Sequence, residues 1–389
     1  NRLIYTKIFE KTKGAKMYIE PFGIEMWMNE FEDHCKYNLA ETCIKSMTIS
    51  ELLTLSGRNE NITEELSKMK MTYGEITGSK RLRSQIASLF TKQTSENVMV
   101  THGAIGANSL VYNSLVSKGD KVVSILPTYQ QHYSIPASLG ADLHILKIEP
   151  ENNFLPDLSK LKQLIKDNTK LIALNNPNNP TGSLMGKEML TEIVSYARSC
   201  GAFIVCDEVY RGTNQSDPEY GASIADLYEK GISTGSMSKT YSLAGLRLGW
   251  ITANPEILQN VFIHRDYNTI SVGMLDDYFA AIALESREKI AIRNTKIIRD
   301  NLSILDNWVS NEPNISYIKP KAGTTALLKY DFDIPSRDFC IELLEKTGVL
   351  FAPGIAMEME GWVRIGYAND PKILTKGLSK VSEYLHTFK

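Results

Sequence analysis

The sequence predicts an α/β protein: a mostly parallel sheet with helices on both faces, joined to a smaller α+β domain. Three observations point there. Short apolar runs of strand length alternate with segments whose apolar residues have helical spacing, as an open parallel sheet requires. Polar and Gly-rich motifs follow directly on the ends of those runs, where such sheets bind ligands. The chain is 389 residues long, more than one compact core usually organises, so two domains are expected. The expected division is an N-terminal arm that belongs with the small domain over residues 1–45, a large domain over 46–283 and a small C-terminal domain over 284–389.

Composition narrows the function classes. The formal net charge is −2, and the apolar and charged fractions are those of an ordinary soluble protein. Neither a nucleic-acid nor a membrane partner is expected. No window approaches the apolar length of a membrane-spanning helix. The five cysteines (Cys35, Cys43, Cys200, Cys206 and Cys340) are scattered, with no C-x-x-C pair and no Cys/His cluster at metal-site spacing. Reduced thiols in a cytoplasmic protein, and no metal, are expected. Residues 1–16 are basic and lack an apolar stretch, so no export signal is read there.

Taken in order, residues 22–31 carry apolar side chains at helical spacing and predict a short amphipathic helix. Residues 37–43 read as extended, and residues 73–83 as a Gly-punctuated turn entering a helix. A strand over 97–101 leads into His102-Gly103-Ala104-Ile105-Gly106-Ala107, whose small residues let backbone N–H groups approach an anion at the positive end of a helix. A strand over 121–125 precedes Tyr129. The strand over 171–174 ends in Asn175-Asn176-Pro177-Asn178-Asn179-Pro180-Thr181-Gly182, where two Asn-Pro pairs and a glycine impose an irregular, rigid turn. Asp207 and Tyr210 follow the apolar strand 202–206, and a carboxylate just past a buried strand is costly unless it has a partner. The next strand, around 231–234, delivers Ser236-Met237-Ser238-Lys239, then apolar residues, Gly245, Arg247 and Gly249. An amine kept nucleophilic needs desolvation or neighbouring positive charge, and this lysine has the sequence company for it. A strand at 250–252, a helix from Pro255 and a long helix over 286–307 lead into the small domain. Its expected strands are 317–329 and 361–368, the latter with Arg364, and 352–354 is expected to be a turn between them.

The stretch from Ser236 to Gly249 resembles the Schiff-base segment of fold-type I pyridoxal 5′-phosphate (PLP) enzymes, specifically the class I/II aminotransferases of the aspartate aminotransferase superfamily. Matching parts run in order from Tyr73 to Arg364, about three quarters of the chain. The resemblance implies the PLP-dependent transferase fold and a homodimer. It implies a Schiff base between PLP and Lys239, with the phosphate held by Gly103, Ala104, Ile105, Ser236 and Arg247, and by Tyr73 of the other subunit, and Ser238 among the cofactor contacts. Tyr129 would stack on the pyridine, Asn179 and Tyr210 would reach its 3′-oxygen, and ionised Asp207 would keep the ring nitrogen protonated. Arg364, with Asn179, would bind the substrate α-carboxylate, a task suited to a planar guanidinium. Lys239, its pKa lowered near Arg247, would be the base, assisted by Asp207 and Tyr210. The implied reaction moves an amino group from an α-amino acid to a 2-oxo acid.

The chain also departs from that pattern. Ala40, Glu41 and Thr42 fill a region where the family often has glycine; Glu41 reads as a surface or structural carboxylate, with a carboxylate facing a basic substrate group as the alternative. In dicarboxylate-specific relatives a second arginine comes from a region near residues 265–271, where Arg265 and Asp266 stand here. The N-terminal stretch through Trp27 and Glu41 also resembles capreomycidine synthase-type proteins. A PLP-dependent carbon–sulfur β-lyase or such a cyclase is therefore the alternative, since both share nearly every residue named. Other readings fail. The run from Gly182 to Lys187 is one residue short of a P-loop, and no strand is followed by G-x-G-x-x-G. Ser236-x-x-Lys239 with Lys346-Thr347-Gly348 echoes penicillin-binding enzymes, but no Ser-Asp-Asn or Ser-Tyr-Asn lies between. A PLP-sensing DNA-binding regulator would need a helix-turn-helix domain in the roughly 20 residues ahead of Phe22.

Overall fold

A computed structural model of the chain describes residues 18–60, 62–218 and 220–388. Residues 1–16, read above as carrying no export signal, lie outside the described residues. Helix α1 (Gly23–Phe31) buries Ile24 and Trp27, three positions apart on one face, and Trp27 Nε1 donates to the Phe351 carbonyl at 2.9 Å. Strand β1 (Tyr37–Asn38) runs parallel to Val349–Leu350, so the N-terminal arm is pinned to the far end of the chain. Helix α2 (Ile49–Ser56) starts at a reciprocal capping box of Thr48 and Glu51. Helix α3 (Lys80–Ala87) starts where Ser79 accepts from the Leu82 amide.

The large sheet comprises β2 (Val98–His102), β3 (Lys121–Leu126), β4 (Asp142–Lys147), β5 (Thr169–Asn175), β6 (Phe203–Asp207), β7 (Gly231–Ser236) and β8 (Leu248–Thr252). Its order is β2-β8-β7-β6-β5-β3-β4, parallel except for β8, which is antiparallel to both neighbours. Successive side chains of a strand point to opposite faces. Hence Leu171 and Ala173 join the core beneath α4 (Gly103–Leu115), while Ile172 and Leu174 join the one beneath α5 (Lys187–Cys200). Helix α6 (Pro255–Asp266) packs beside α4.

The long helix α7 (Arg287–Asn311) leads to a second sheet made of β9 (Ile315–Tyr317) and β10 (Thr325–Tyr330), followed by α8 (Ser336–Thr347). Then come β11 (Val349–Leu350), β12 (Ala352–Pro353), β13 (Trp362–Gly366) and α9 (Pro371–Leu385). The second sheet has the order β12-β13-β10-β9 and is antiparallel throughout. Two expectations fail here. The strand expected over 317–329 is two strands, because Lys321 and Ala322 turn aside to donate to the Gly182 carbonyl at 2.8 and 3.1 Å. Only glycine fits at 182, since a Cβ would stand 2.6 Å from Pro320 Cβ. The turn expected at 352–354 is instead the short edge strand β12, paired with β13 as Ala352↔Arg364, and an edge tolerates Pro353. No helix among the described residues is long and apolar enough to cross a membrane.

Candidate active site

A cavity of about 290 Å³ opens over the C-terminal ends of β5, β6 and β7, where an open parallel sheet places its ligands. Eleven of the thirteen residues expected at the site line it: Ala104, Ile105, Tyr129, Asn179, Asp207, Tyr210, Ser236, Ser238, Lys239, Arg247 and Arg364. Gly103 lies just behind the wall, at the first position of α4. Tyr73 stands away from this cavity with 78% of its surface exposed.

Asp207, the last residue of β6, is buried at the cavity floor. Its Oδ2 accepts from Asn108 Nδ2 at 2.9 Å and has His132 Nε2 at 3.4 Å, while its Oδ1 accepts from the Val209 amide at 3.1 Å. Thr234 Oγ1 donates to Asn108 Oδ1 at 2.7 Å, and the Tyr112 hydroxyl lies 2.7 Å from His132 Nδ1. The sequence reading missed Asn108 and His132. Asn108 sits one helical turn beyond Ala104, a spacing that puts both on one face of α4.

At one end of the cavity the N-terminus of α4 faces Ser236, Ser238 and Arg247. The approach is close because position 249 is glycine: a Cβ there would lie 2.3 Å from the Gly103 carbonyl carbon. Arg247 has φ of 47°, and its Nη1 donates to the Ala244 carbonyl at 2.9 Å. Free amides at a helix start, two hydroxyls and a guanidinium make a site for a multiply charged anion.

Lys239 Nζ donates to Thr42 Oγ1 at 2.6 Å and to Cys43 Sγ at 3.4 Å. Burial disfavours its ammonium, but Cys43, Tyr210 and Glu41 outweigh burial and raise its pKa above the ordinary lysine value. This reverses the lowering expected from Arg247. The reason is that the N-terminal arm closes over the amine and brings a carboxylate with it. Burial pushes the Cys43 thiol up to about 11, and Glu41 is the carboxylate beside the amine. Glu41 lines the cavity, and its Oε1 accepts from the Thr42 and Cys43 amides at 2.8 Å each. Burial opposes its charge, yet Lys239 and those amides hold its carboxyl below the usual range. It is therefore both a backbone brace and part of the cavity wall, not a surface group.

Arg364, on β13, is 4% exposed. Its Nη2 donates to the Ala40 carbonyl at 3.1 Å and its Nη1 to Asn179 Oδ1 at 3.3 Å, while Nε has no partner. Burial lowers its pKa from the usual value. A guanidinium buried on two carbonyl oxygens and the Met357 sulfur, with no carboxylate bonded to it, is poised for an incoming carboxylate. Tyr210 Oη is likewise buried without a partner. The Tyr129 hydroxyl donates to Glu25 Oε1 at 2.9 Å. Arg265 does not line this cavity: it is fully buried on α6, donates to the Ile76 carbonyl, and burial pushes its pKa down to about 10.

Comparison with known proteins gives concordant results. A family model described as aminotransferase class I and II matches residues 49–381. Capreomycidine synthase of Streptomyces vinaceus is 30% identical over 365 residues, 94% of this chain and 93% of its own. An aspartate aminotransferase of Pyrococcus horikoshii is 30% identical over 295 residues, 75% of each chain. The crystal structure of a PLP-dependent aminotransferase from Streptococcus suis matches with a TM-score of 0.93 at 44% identity, covering 96% of this chain and 99% of that one.

Proposed function

The chain belongs to the aminotransferase class I and II family and is a PLP-dependent aminotransferase; on that premise we propose how its own residues hold the cofactor and carry the reaction. The donor set fits PLP. Two buried groups aimed into one cavity, Tyr210 Oη and Arg364 Nε, lack partners, and the bare start of α4 faces Arg247 across the same space. The start of α4 at Gly103, Ala104 and Ile105, with Ser236, Ser238 and Arg247, would hold the phosphate. Asp207 would hold the proton on the ring nitrogen, itself steadied by Asn108 and His132. Tyr129 would cover the ring. Tyr210 and Asn179, whose Nδ2 has no hydrogen-bond acceptor among the described residues, would donate to the 3′-oxygen.

When bound, PLP supplies an electrophilic aldehyde and a ring that withdraws the electron pair released at the substrate Cα. Lys239 is the residue that would carry it and that, freed as an amine, would take the proton from Cα. Arg364 would fix the α-carboxylate and so aim the Cα–H bond at Nζ. Thr42 and Cys43 hold the amine by accepting from it. The observation that carries this reading is the meeting of Lys239, Asp207 and Arg364, which come from three distant segments, in one buried cavity.

The same proposal includes a homodimer and a cytoplasmic setting. Met71, Tyr73, Ile76, Tyr267, Ile270 and Leu275 are exposed large apolar side chains. Their two segments adjoin through Arg265 on the Ile76 carbonyl and Ser79 on Asp277. An apolar surface of this kind fits a partner subunit. All five cysteines are free, which suits a reducing compartment.

The 30% identity to a synthase keeps one second reading in play, a cyclase or lyase outcome on the same cavity. The deciding experiment supplies amino acids with no oxo-acid acceptor. An aminotransferase releases one equivalent of oxo acid per site, stops, and resumes when a 2-oxo acid is added. Sustained turnover without an acceptor would mean a lyase or cyclase.

A further inference from the structure

The wall opposite the sheet is acidic in a way the reaction does not require. Glu25, Met28 and Glu32 stand three and four positions apart and line the cavity as one face running from α1 into the turn after it, and Glu41 adjoins them from the arm. Glu25 Oε1 accepts from Tyr129, and Glu32 Oε1 accepts from Asn38 Nδ2 at 3.1 Å. The second oxygen of each has no hydrogen-bond donor among the described residues.

Lys239, Arg247 and Arg364 are the lysine and arginine side chains lining the cavity, among the described residues. In the reading above each has an assigned anion or covalent partner once the site is loaded. Arg364, 4% exposed and with Nε unpartnered, fixes where the substrate carboxylate sits. Glu25 and Glu41 act on Arg364, and once a substrate carboxylate occupies that guanidinium the three glutamates face the rest of the substrate. Glu41 acts on Lys239 and also on Glu32, which is exposed at the mouth, so negative charge runs outward from the amine. Burial, and then the charge of Glu41, raises the Glu32 carboxyl above the usual range, a repulsion that a bound cation relieves.

We propose that the amino donor is an α-amino acid with a long side chain ending in a cation, an ammonium or guanidinium, received by Glu41, Glu25 and Glu32. The inference rests on the aminotransferase reading for the place of the carboxylate. A dicarboxylate donor would meet like charge on this wall, which costs affinity.

The test compares donors on the holoenzyme: L-arginine against the equally sized L-citrulline, and L-lysine against L-norleucine, which has the same carbon chain without the terminal amine, with L-aspartate as a third class. The measured quantity is kcat/KM for oxo-acid release in the first half-reaction. Arginine should exceed citrulline by at least about tenfold, a ratio that shrinks as salt is raised. Glu32→Gln and Glu41→Gln should narrow that ratio, since each glutamine keeps the neutral hydrogen bond and loses the charge. A second readout needs no turnover. Calorimetry should find 5-guanidinopentanoate, arginine without its α-amine, binding more tightly than 5-ureidopentanoate. If citrulline or aspartate is the better donor, or the two ligands bind alike, the substrate inference is overturned and the aminotransferase reading stands. If arginine is preferred but turns over without an acceptor, the substrate inference stands and the transfer reading falls. If no donor reacts and neither ligand binds, both fall.

Discussion

The surroundings of Lys239 favour its ammonium form. Its raised pKa keeps it an ammonium at neutral pH, and an ammonium does not attack an aldehyde. Covalent loading of PLP onto the cofactor-free protein should therefore accelerate with pH, by about tenfold per unit between pH 7 and 9, because the amine fraction grows that way below the pKa. Glu41→Gln removes an anion that stabilises the ammonium and should speed loading at pH 7. Stopped-flow absorbance, with borohydride trapping and mass spectrometry of the Lys239 peptide, measures both. A rate independent of pH in the wild type would contradict the raised pKa. Asp207 makes a separate prediction. Its hydrogen bonds to Asn108 and Val209 are in place before any ligand arrives, so it is preorganised for the charge it meets. Asp207→Ala should lower kcat by roughly two to three orders of magnitude, equivalent to about 3–4 kcal/mol, with a smaller loss of cofactor affinity. Activity within twofold of wild type would make Asp207 a structural residue.

At the scale of elements, the proposed phosphate end depends on how closely β8 passes under the start of α4. Gly249 permits that approach, and a methyl group there would collide with the Gly103 backbone. Gly249→Ala should push the start of α4 away from Arg247 and Ser236. PLP affinity should then fall by about an order of magnitude or more, since backbone donors and the helix end act only at close range. Equilibrium dialysis of PLP reads this directly. Unchanged affinity, with circular dichroism showing the fold intact, would mean the phosphate sits elsewhere. Helix α1 has a comparable dependence. Trp27 anchors it through Phe351, and that anchorage sets the face on which Glu25 and Glu32 meet the cavity.

At the scale of the molecule, the proposed dimer gives Tyr73 a role at the site. It is exposed in the single chain and adjoins the other exposed apolar side chains around residues 265–275. A second copy should cover that surface and receive Tyr73 near its own phosphate end. Tyr73→Ala and Lys239→Ala proteins, each with little activity alone, should partly restore activity when unfolded and refolded together. In such a mixed dimer one site keeps an intact Lys239 and an intact Tyr73. A fully active monomer in sedimentation velocity would refute the assembly.

By itself the sequence determined the succession of strands and helices and most of the cavity's chemistry. Apolar periodicity is local, and the motifs at 102–107, 175–182, 207–210 and 236–249 each lie beside the strand end that presents them. Lys239, Asp207 and Arg364 were legible because each residue type suits one chemical task wherever the chain places it. Tertiary structure alone decided what surrounds them. Asn108 and His132 support Asp207 from segments 99 and 75 residues away in sequence, and the arm brings Thr42 against Lys239 from 197 residues away. That arm reversed the sign of the expected pKa shift at Lys239 and, of the readings open for Glu41, made it a structural brace that is also part of the cavity wall. A pKa is set by every charge within several ångströms, whatever its distance along the chain. The strand break at 318–324 was hidden for the same reason, since its partner Gly182 is remote in sequence, while the pairing of 352–353 was hidden because a two-residue strand carries no periodicity.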